Sequence, residues 1–238
     1  MTFGYKGQIS QNKNCYLFSF AQDRPAYRSF VSNIINYINS VKQTSISQCG
    51  SKINQANALN DQYNGKILLE FTNITNNYIF GGYSGYLVNS FSSDSKVSFV
   101  NVHENYQKTH YIAFHHGIPN QLFNVVSSNY IGNQNGYLIH SECTLVLTGC
   151  NIINNSCTKT FYCHKHPSSI TLNQCYSDKT DYEYQIPIFQ NSILYNFIAE
   201  FNIIETCMDG LYYHGECVTG CYLYENGFTE IVLIFLLT

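Results

Sequence analysis

The stretch "LVLTGCNIINNSCTKTFYCH", Leu145 to His164, reads in two ways: as a cysteine-bearing active site, or as one turn of something repeated. Its neighbours decide between them. Set against Cys150 in "GCNIINN", the chain offers Phe71 in "EFTNITNN", Phe99 in "SFVNVHEN", Phe123 in "LFNVVSSN", Cys175 in "NQCYSD", Phe201 in "EFNIIET" and Cys221 in "GCYLYEN". These anchors recur about every 20 to 28 residues, and Cys49 in "ISQCGSK" extends the series upstream. In most copies an alternating apolar run leads to the anchor, Asn, Ser or Asp follows, and a second short apolar run closes the unit. Those second runs begin at Gly85, Tyr111, Tyr137, Phe161, Ile186 and Leu211. Such a period marks a repeat architecture in which a unit buries its apolar face only by stacking on its neighbours.

Strands fill the repeat. Its segments are short, rich in Val, Ile, Phe, Tyr and Thr, and alternate with period two between Asn, Gly and Ser turns. Helical repeats need longer stretches of Ala, Leu, Glu and Lys, which are scarce. Two or three short strands per unit predict one rung of an all-β parallel β-helix, with equivalent positions about 4.8 Å apart. The abundant asparagines suit its tight corners, because Asn tolerates a left-handed backbone. The anchors are expected to form one inward column. Residues 46–230 are assigned to the solenoid, in about seven to eight coils. Residues 1–45 form an N-terminal segment, either an irregular coil or a capping element: Phe30, Ile34, Ile38 and Val41 follow helical spacing, but Asn33, Asn36 and Asn39 oppose a helix.

Composition narrows the function classes. Of the 238 residues only 11% are charged, against roughly 25% in typical soluble proteins, so the surface is neutral and hydrogen-bonding. A formal net charge of -3 and no basic run set nucleic acid aside. The start lacks the apolar stretch of a secretory signal peptide. The apolar run "IVLIFLL", within residues 231–238, supports two readings: a last buried strand, or the beginning of a membrane anchor, since a spanning helix needs about 20 residues.

The succession of "GCNIINNSC"-like turns resembles the right-handed parallel β-helix of the pectin-lyase-like superfamily, and within it the Asn- and Cys-rich repeat proteins of protist cell surfaces. The resemblance covers roughly Ile46 to Asn226. It implies a single-stranded right-handed solenoid at a cell surface or outside the cell, with adhesion or display as its work and a glycan or a cell-surface protein as partner. The enzymes of that superfamily cleave polysaccharides, so a divergent lyase or hydrolase is the alternative, and a structural spacer the third.

Cys150, Cys175 and Cys221 share a repeat position with phenylalanines, which points to buried thiols rather than a nucleophile. Ten cysteines would also suit an oxidising compartment, with no pairing assignable. "CHKH" holds Cys163, His164 and His166. Counted from the start of each second run, His140, His164 and His214 fall at the same place. These five side chains are the weak candidates for a metal site, imidazole and thiolate being the ligands zinc prefers. No cofactor is implied. Asp178, Asp181 and Glu183, with Lys179 as the near base, form the nearest approach to an acidic active site. The hydrolases' Gly-His-Gly and Arg-x-Lys signatures are absent, and both arginines, Arg24 and Arg28, precede the repeats. Asn73 in "NIT" and Asn154 in "NNS" match the glycosylation acceptor pattern.

Overall fold

The structure is a computed structural model that describes residues 2–5, 8–17, 27–31, 37–51, 58–80, 83–107, 110–117, 120–134, 136–164 and 167–190. Phe201, Cys221, His166, His214 and the apolar run within 231–238 lie outside the described residues. Among the described residues every strand pairing is parallel, and each strand pairs with the equivalent strand of the next unit, which makes the molecule an all-β parallel β-solenoid.

Each full turn has three faces. Tyr83–Phe91, Tyr111–His116, Tyr137–Ser141, Lys159–Cys163 and Tyr182–Tyr184 stack in order as the first sheet. Lys96–His103, Leu122–Val126, Thr144–Thr148 and Ser169–Asn173 stack as the second, which bends and continues through Asn129–Ile131 and Asn151–Ile153. Gly50–Ser51, Tyr78–Ile79 and Tyr106–Gln107 form the narrow third face, prolonged by single bridges at Gln134 and Ser156. The described residues make about five turns, fewer than the seven to eight coils expected. Part of the difference is that the last two anchors fall outside the described residues. Strands also run through residues 2–47: Thr2–Tyr5 pairs with Tyr27–Val31, Ile9–Asn12 with Ile38–Lys42, and Cys15–Leu17 with Ser45–Ser47.

Two left-handed corners set the register. At the first, Lys13, Gln43, Phe71, Phe99, Ser127, Gly149 and Gln174 all have φ between 46° and 64°. The second uses Gln48, Asn76, Glu104, Gly132 and Asn154, with φ between 52° and 66°. A left-handed residue turns the chain sharply while the next residue points inward, so the corners recur at fixed rows. Here the expectation for the anchors fails. Phe71 and Phe99 sit on the first corner itself, Phe71 being 43% exposed, and their rings stack outside the solenoid at 4.9 Å and 3°. Phe123 lies four residues before its own corner, Ser127, and faces the core opposite Leu145. Cys150 and Cys175 follow their corners and point inward, in the row of Thr72, Val100 and Ser128. The anchors therefore occupy three rows rather than one column.

The row after each corner satisfies the backbone that the bend exposes. After the first corner, the hydroxyls of Thr44, Thr72 and Ser128 and the thiols of Cys150 and Cys175 each donate to the carbonyl two residues earlier. After the second corner stand Asn77, Asn105, Asn133 and Asn155, all buried. The Asn105 amide donates to the Ile74 carbonyl at 2.8 Å and to Asn133 Oδ1 at 3.1 Å, while its own Oδ1 accepts from the Asn77 backbone and amide. The same pattern repeats at Asn77 and Asn133. A second row of amides, Asn73, Asn101, Asn129 and Asn151, is linked side chain to side chain at 2.7 to 3.1 Å. Between these polar rows the core is apolar, with Ile46, Ile74, Val102, Tyr130 and Ile152 in one buried row.

Candidate functional site: an aromatic face on the first sheet

Period-two alternation in the first sheet sends Ala113 and His115 inward and leaves Phe114 between them facing out. Register then carries Leu87, Phe114, His140, Tyr162 and Glu183 into one outward row. Beside it run Tyr111, Tyr137 and Lys159 on one side, and Asn89, His116, Glu142 and His164 on the other. The rings close on one another: His140 lies 4.1 Å from Tyr111, 4.4 Å from Phe114 and 4.5 Å from Tyr162 between centroids. Tyr162 meets Tyr137 at 4.9 Å and Tyr184 at 5.1 Å, both edge to face. Leu87 and Phe114, backed by Tyr63 and Tyr111, form a small apolar cluster separate from the core. Aromatic rings that present apolar faces and polar tips outside a core are groups equipped to hold a ligand rather than to hold the fold.

His140 is the floor of this face. It is 3% exposed, and neither ring nitrogen has a hydrogen-bond partner among the described residues. Its Nε2 stands 3.7 Å from Glu142 Oε1, whose other oxygen is 2.5 Å from His116 Nδ1. Burial, followed by the fields of His115, His164 and His116, pushes its pKa down to about 2, so the ring is neutral and acts as an aromatic. Burial also raises the Tyr111 and Tyr162 hydroxyls, with the Glu183 carboxylate adding to both. Tyr137 is raised first by its hydrogen bond to Glu183.

Directly behind the face, on the inward side, His115 is wholly buried. Its Nδ1–H donates to the His140 carbonyl at 3.2 Å, leaving Nε2 to accept the Tyr86 hydroxyl at 3.1 Å. The Tyr130 hydroxyl completes the chain on Tyr86. Burial lowers the His115 pKa to about 4 despite the His140 hydrogen bond.

The other site residues expected from sequence lie apart from one another. His164 does not share a row with His140: Tyr137 pairs with Lys159, not Phe161, so the row shifts by two residues and His140 faces Tyr162. Cys163 is a buried free thiol on the inward side, its pKa raised to about 11 by burial. Among the described residues no group of three or more His, Cys, Asp or Glu side chains could hold a metal ion. The acidic set is spent on the backbone. Asp178 accepts from the Asn154 amide at 2.6 Å, Asp181 from the Thr160 amide and hydroxyl at 3.0 and 2.7 Å, and Lys179 donates to the Asn155 carbonyl at 2.5 Å. Of that set only Glu183 joins the aromatic face. Asn73 is buried and its amide oxygen accepts from Asn101, whereas Asn154 is exposed on the second corner.

Tyr111, Phe114, Glu142, Tyr162 and Tyr184 were not singled out from sequence. The available signal was the alternation within the second runs, read from the corners instead of from the first apolar residue. No family model matches the chain, and neither a curated protein nor a solved structure is found to be similar to it.

Proposed function

We propose that the protein is a non-enzymatic binding solenoid of a cell surface or the extracellular space, which adheres to or displays itself to a glycan through the aromatic face of its first sheet. The observation that carries this reading is the cluster of Tyr111, Tyr137, Tyr162 and Tyr184 around a neutral His140 whose ring nitrogens have no hydrogen-bond partner among the described residues, outside the core. Ring faces cover the apolar side of a sugar, and phenolic hydroxyls exchange hydrogen bonds with its hydroxyls. The likeness to pectin-lyase-like solenoids and to protist surface repeat proteins stays with this proposal, as does a glycan at Asn154 if the chain enters the secretory path. Engagement of Asp178, Asp181 and Lys179 in backbone hydrogen bonds speaks against the lyase or hydrolase alternative.

The test is a binding screen on immobilised glycans with the intact chain and with Tyr162→Ala and Tyr111→Ala. Each truncation is expected to weaken binding at least about five-fold, the loss of about 1 kcal/mol that marks an interface anchor. Release of reducing or unsaturated ends from any bound polysaccharide would promote the enzyme alternative. Absence of binding to every glycan would leave the spacer.

A further inference from the structure

The proposed glycan-binding face also carries information about which sugar it takes. We infer that its ligand is a neutral sugar chain, and that uronic acids and other acidic sugars are excluded by Glu183 and Glu142. This inference rests on the glycan reading of the face.

The argument is one of placement. Glu183 occupies the same outward row as His140 and Tyr162, at the end where Tyr162 and Tyr184 meet edge to face, and it hydrogen-bonds the Tyr137 hydroxyl. Glu142 stands in the next row, against His140 and His116. Two carboxylates thus border the same set of rings. A carboxylate only accepts hydrogen bonds, so a ligand over this floor must bring donors, and a sugar's hydroxyls are donors. Glu183 is the first cause of the raised Tyr137 hydroxyl, and at Tyr111 and Tyr162 it adds to burial, with Glu142 adding further at Tyr111. The field over the rings is negative.

The groups that could reverse that field do not. His140 is buried and stays neutral. His116 is turned to the Glu142 carboxylate. Lys159 follows Tyr137 in the lateral row and is the described lysine of this face, one cation against two carboxylates. Arg28 enters the same row by register, but at its far end, separated from Phe114 by Asp61 and Leu87 and furthest from Glu183. A carboxylate-bearing sugar laid on these rings meets like charge, with Arg28 beyond the far end of the ring cluster, and selectivity by a repulsive group is as effective as selectivity by a new contact.

The experiment is calorimetry at low ionic strength with neutral gluco-, manno- and galacto-oligosaccharides and with galacturonate oligomers of matched length. The neutral chains are expected to bind, and the uronates to bind at least about five- to ten-fold more weakly, a gap that added salt narrows by screening. Glu183→Gln and Glu142→Gln, each checked for an unchanged thermal melt, should close most of that gap by improving uronate binding. Uronates binding as tightly as neutral chains, or a gap that neither variant narrows, overturns the charge argument while leaving a glycan-binding face. No binding by either class removes the face and this inference together.

Discussion

The solenoid's two corners make the same left-handed bend and finish it differently. After Gln48, Asn76, Glu104, Gly132 and Asn154 comes Cys49 and then an unbroken run of buried asparagines. After Gln43, Phe71, Phe99, Ser127, Gly149 and Gln174 come Thr44, Thr72, Val100, Ser128, Cys150 and Cys175. An asparagine has a donor and an acceptor far enough apart to reach the neighbouring turn, so each ties its own turn to the next. A hydroxyl or thiol closes on the carbonyl two residues back and ties to the neighbouring turn by fewer bonds than an asparagine: Ser128 Oγ accepts the Val100 N–H and Cys175 Sγ the Cys150 N–H. The first kind of row must be kept whole, while the second tolerates exchange, and the chain uses it to hold Val and Cys among Thr and Ser.

The sharpest test of that difference is Asn105→Ala. It removes four buried hydrogen bonds, those to the Ile74 carbonyl and Asn133 Oδ1 and those from the Asn77 backbone and side-chain amides, although Asn133 Oδ1 keeps the residue-105 N–H and the Asn77 side chain keeps the Ile46 carbonyl. Losing four buried hydrogen bonds at about 1 kcal/mol each is expected to cost roughly 4 kcal/mol, read from urea unfolding. The matched change Ser128→Ala, in the other row, serves as the comparison. Ser128→Ala, which gives up the Val100 N–H and the Val126 carbonyl, is expected to cost less, and equal losses at the two positions would erase the distinction between the strongly and the weakly coupled corner.

A second test contrasts the asparagine row with the buried polar chain of His115, Tyr86 and Tyr130. Asparagine does not titrate, whereas His115 does. Its pKa in the fold, about 4, lies below the 6.5 of an unperturbed histidine, so protonation favours the unfolded chain. The stability that His115 contributes is complete above about pH 6.5 and is lost as pH falls from there through about 4. A difference of roughly 2.5 pKa units amounts to about 3 kcal/mol. His140, held lower still, adds in the same direction. Thermal melts between pH 7 and 4 should show this loss, and His115→Gln, which keeps a hydrogen-bonding amide, should flatten it. An acid limb unchanged in that variant would place the titrating group elsewhere.

These contrasts also explain how far the sequence could be read. The repeat length, the strands and the asparagine-rich turns are local signals, and they were sufficient for the solenoid. Register was not, because "EFTN" at Glu70 and "LFNV" at Leu122 look alike while their phenylalanines differ by four residues in distance from the corner. The bend that distinguishes Phe71 from Phe123 belongs to the backbone, and a phenylalanine is an unexpected residue to hold it. In the histidine rows a two-residue slip kept every side chain on its proper face and changed only its neighbours. The outward direction of His140 was therefore consistent with the sequence, but its partners Tyr111, Phe114 and Tyr162 were not legible, since they come from adjacent turns.

The smallest expected effect sits at Phe71. A β-carbon in the left-handed region costs about 1 to 2 kcal/mol, and asparagine relieves part of that through its local hydrogen bonds. Against the gain stands the stacked pair with Phe99, worth about 0.5 to 1.5 kcal/mol where rings are well buried and less at a ring that is 43% exposed. The two terms nearly cancel, so Phe71→Asn should change unfolding free energy by no more than about 1 kcal/mol, with either sign. Asn76 and Asn154 already hold this conformation at the other corner. A loss above about 3 kcal/mol, the range for truncating a core aromatic, would mean that the ring is buried after all and that the anchors share the single inward column first expected of them.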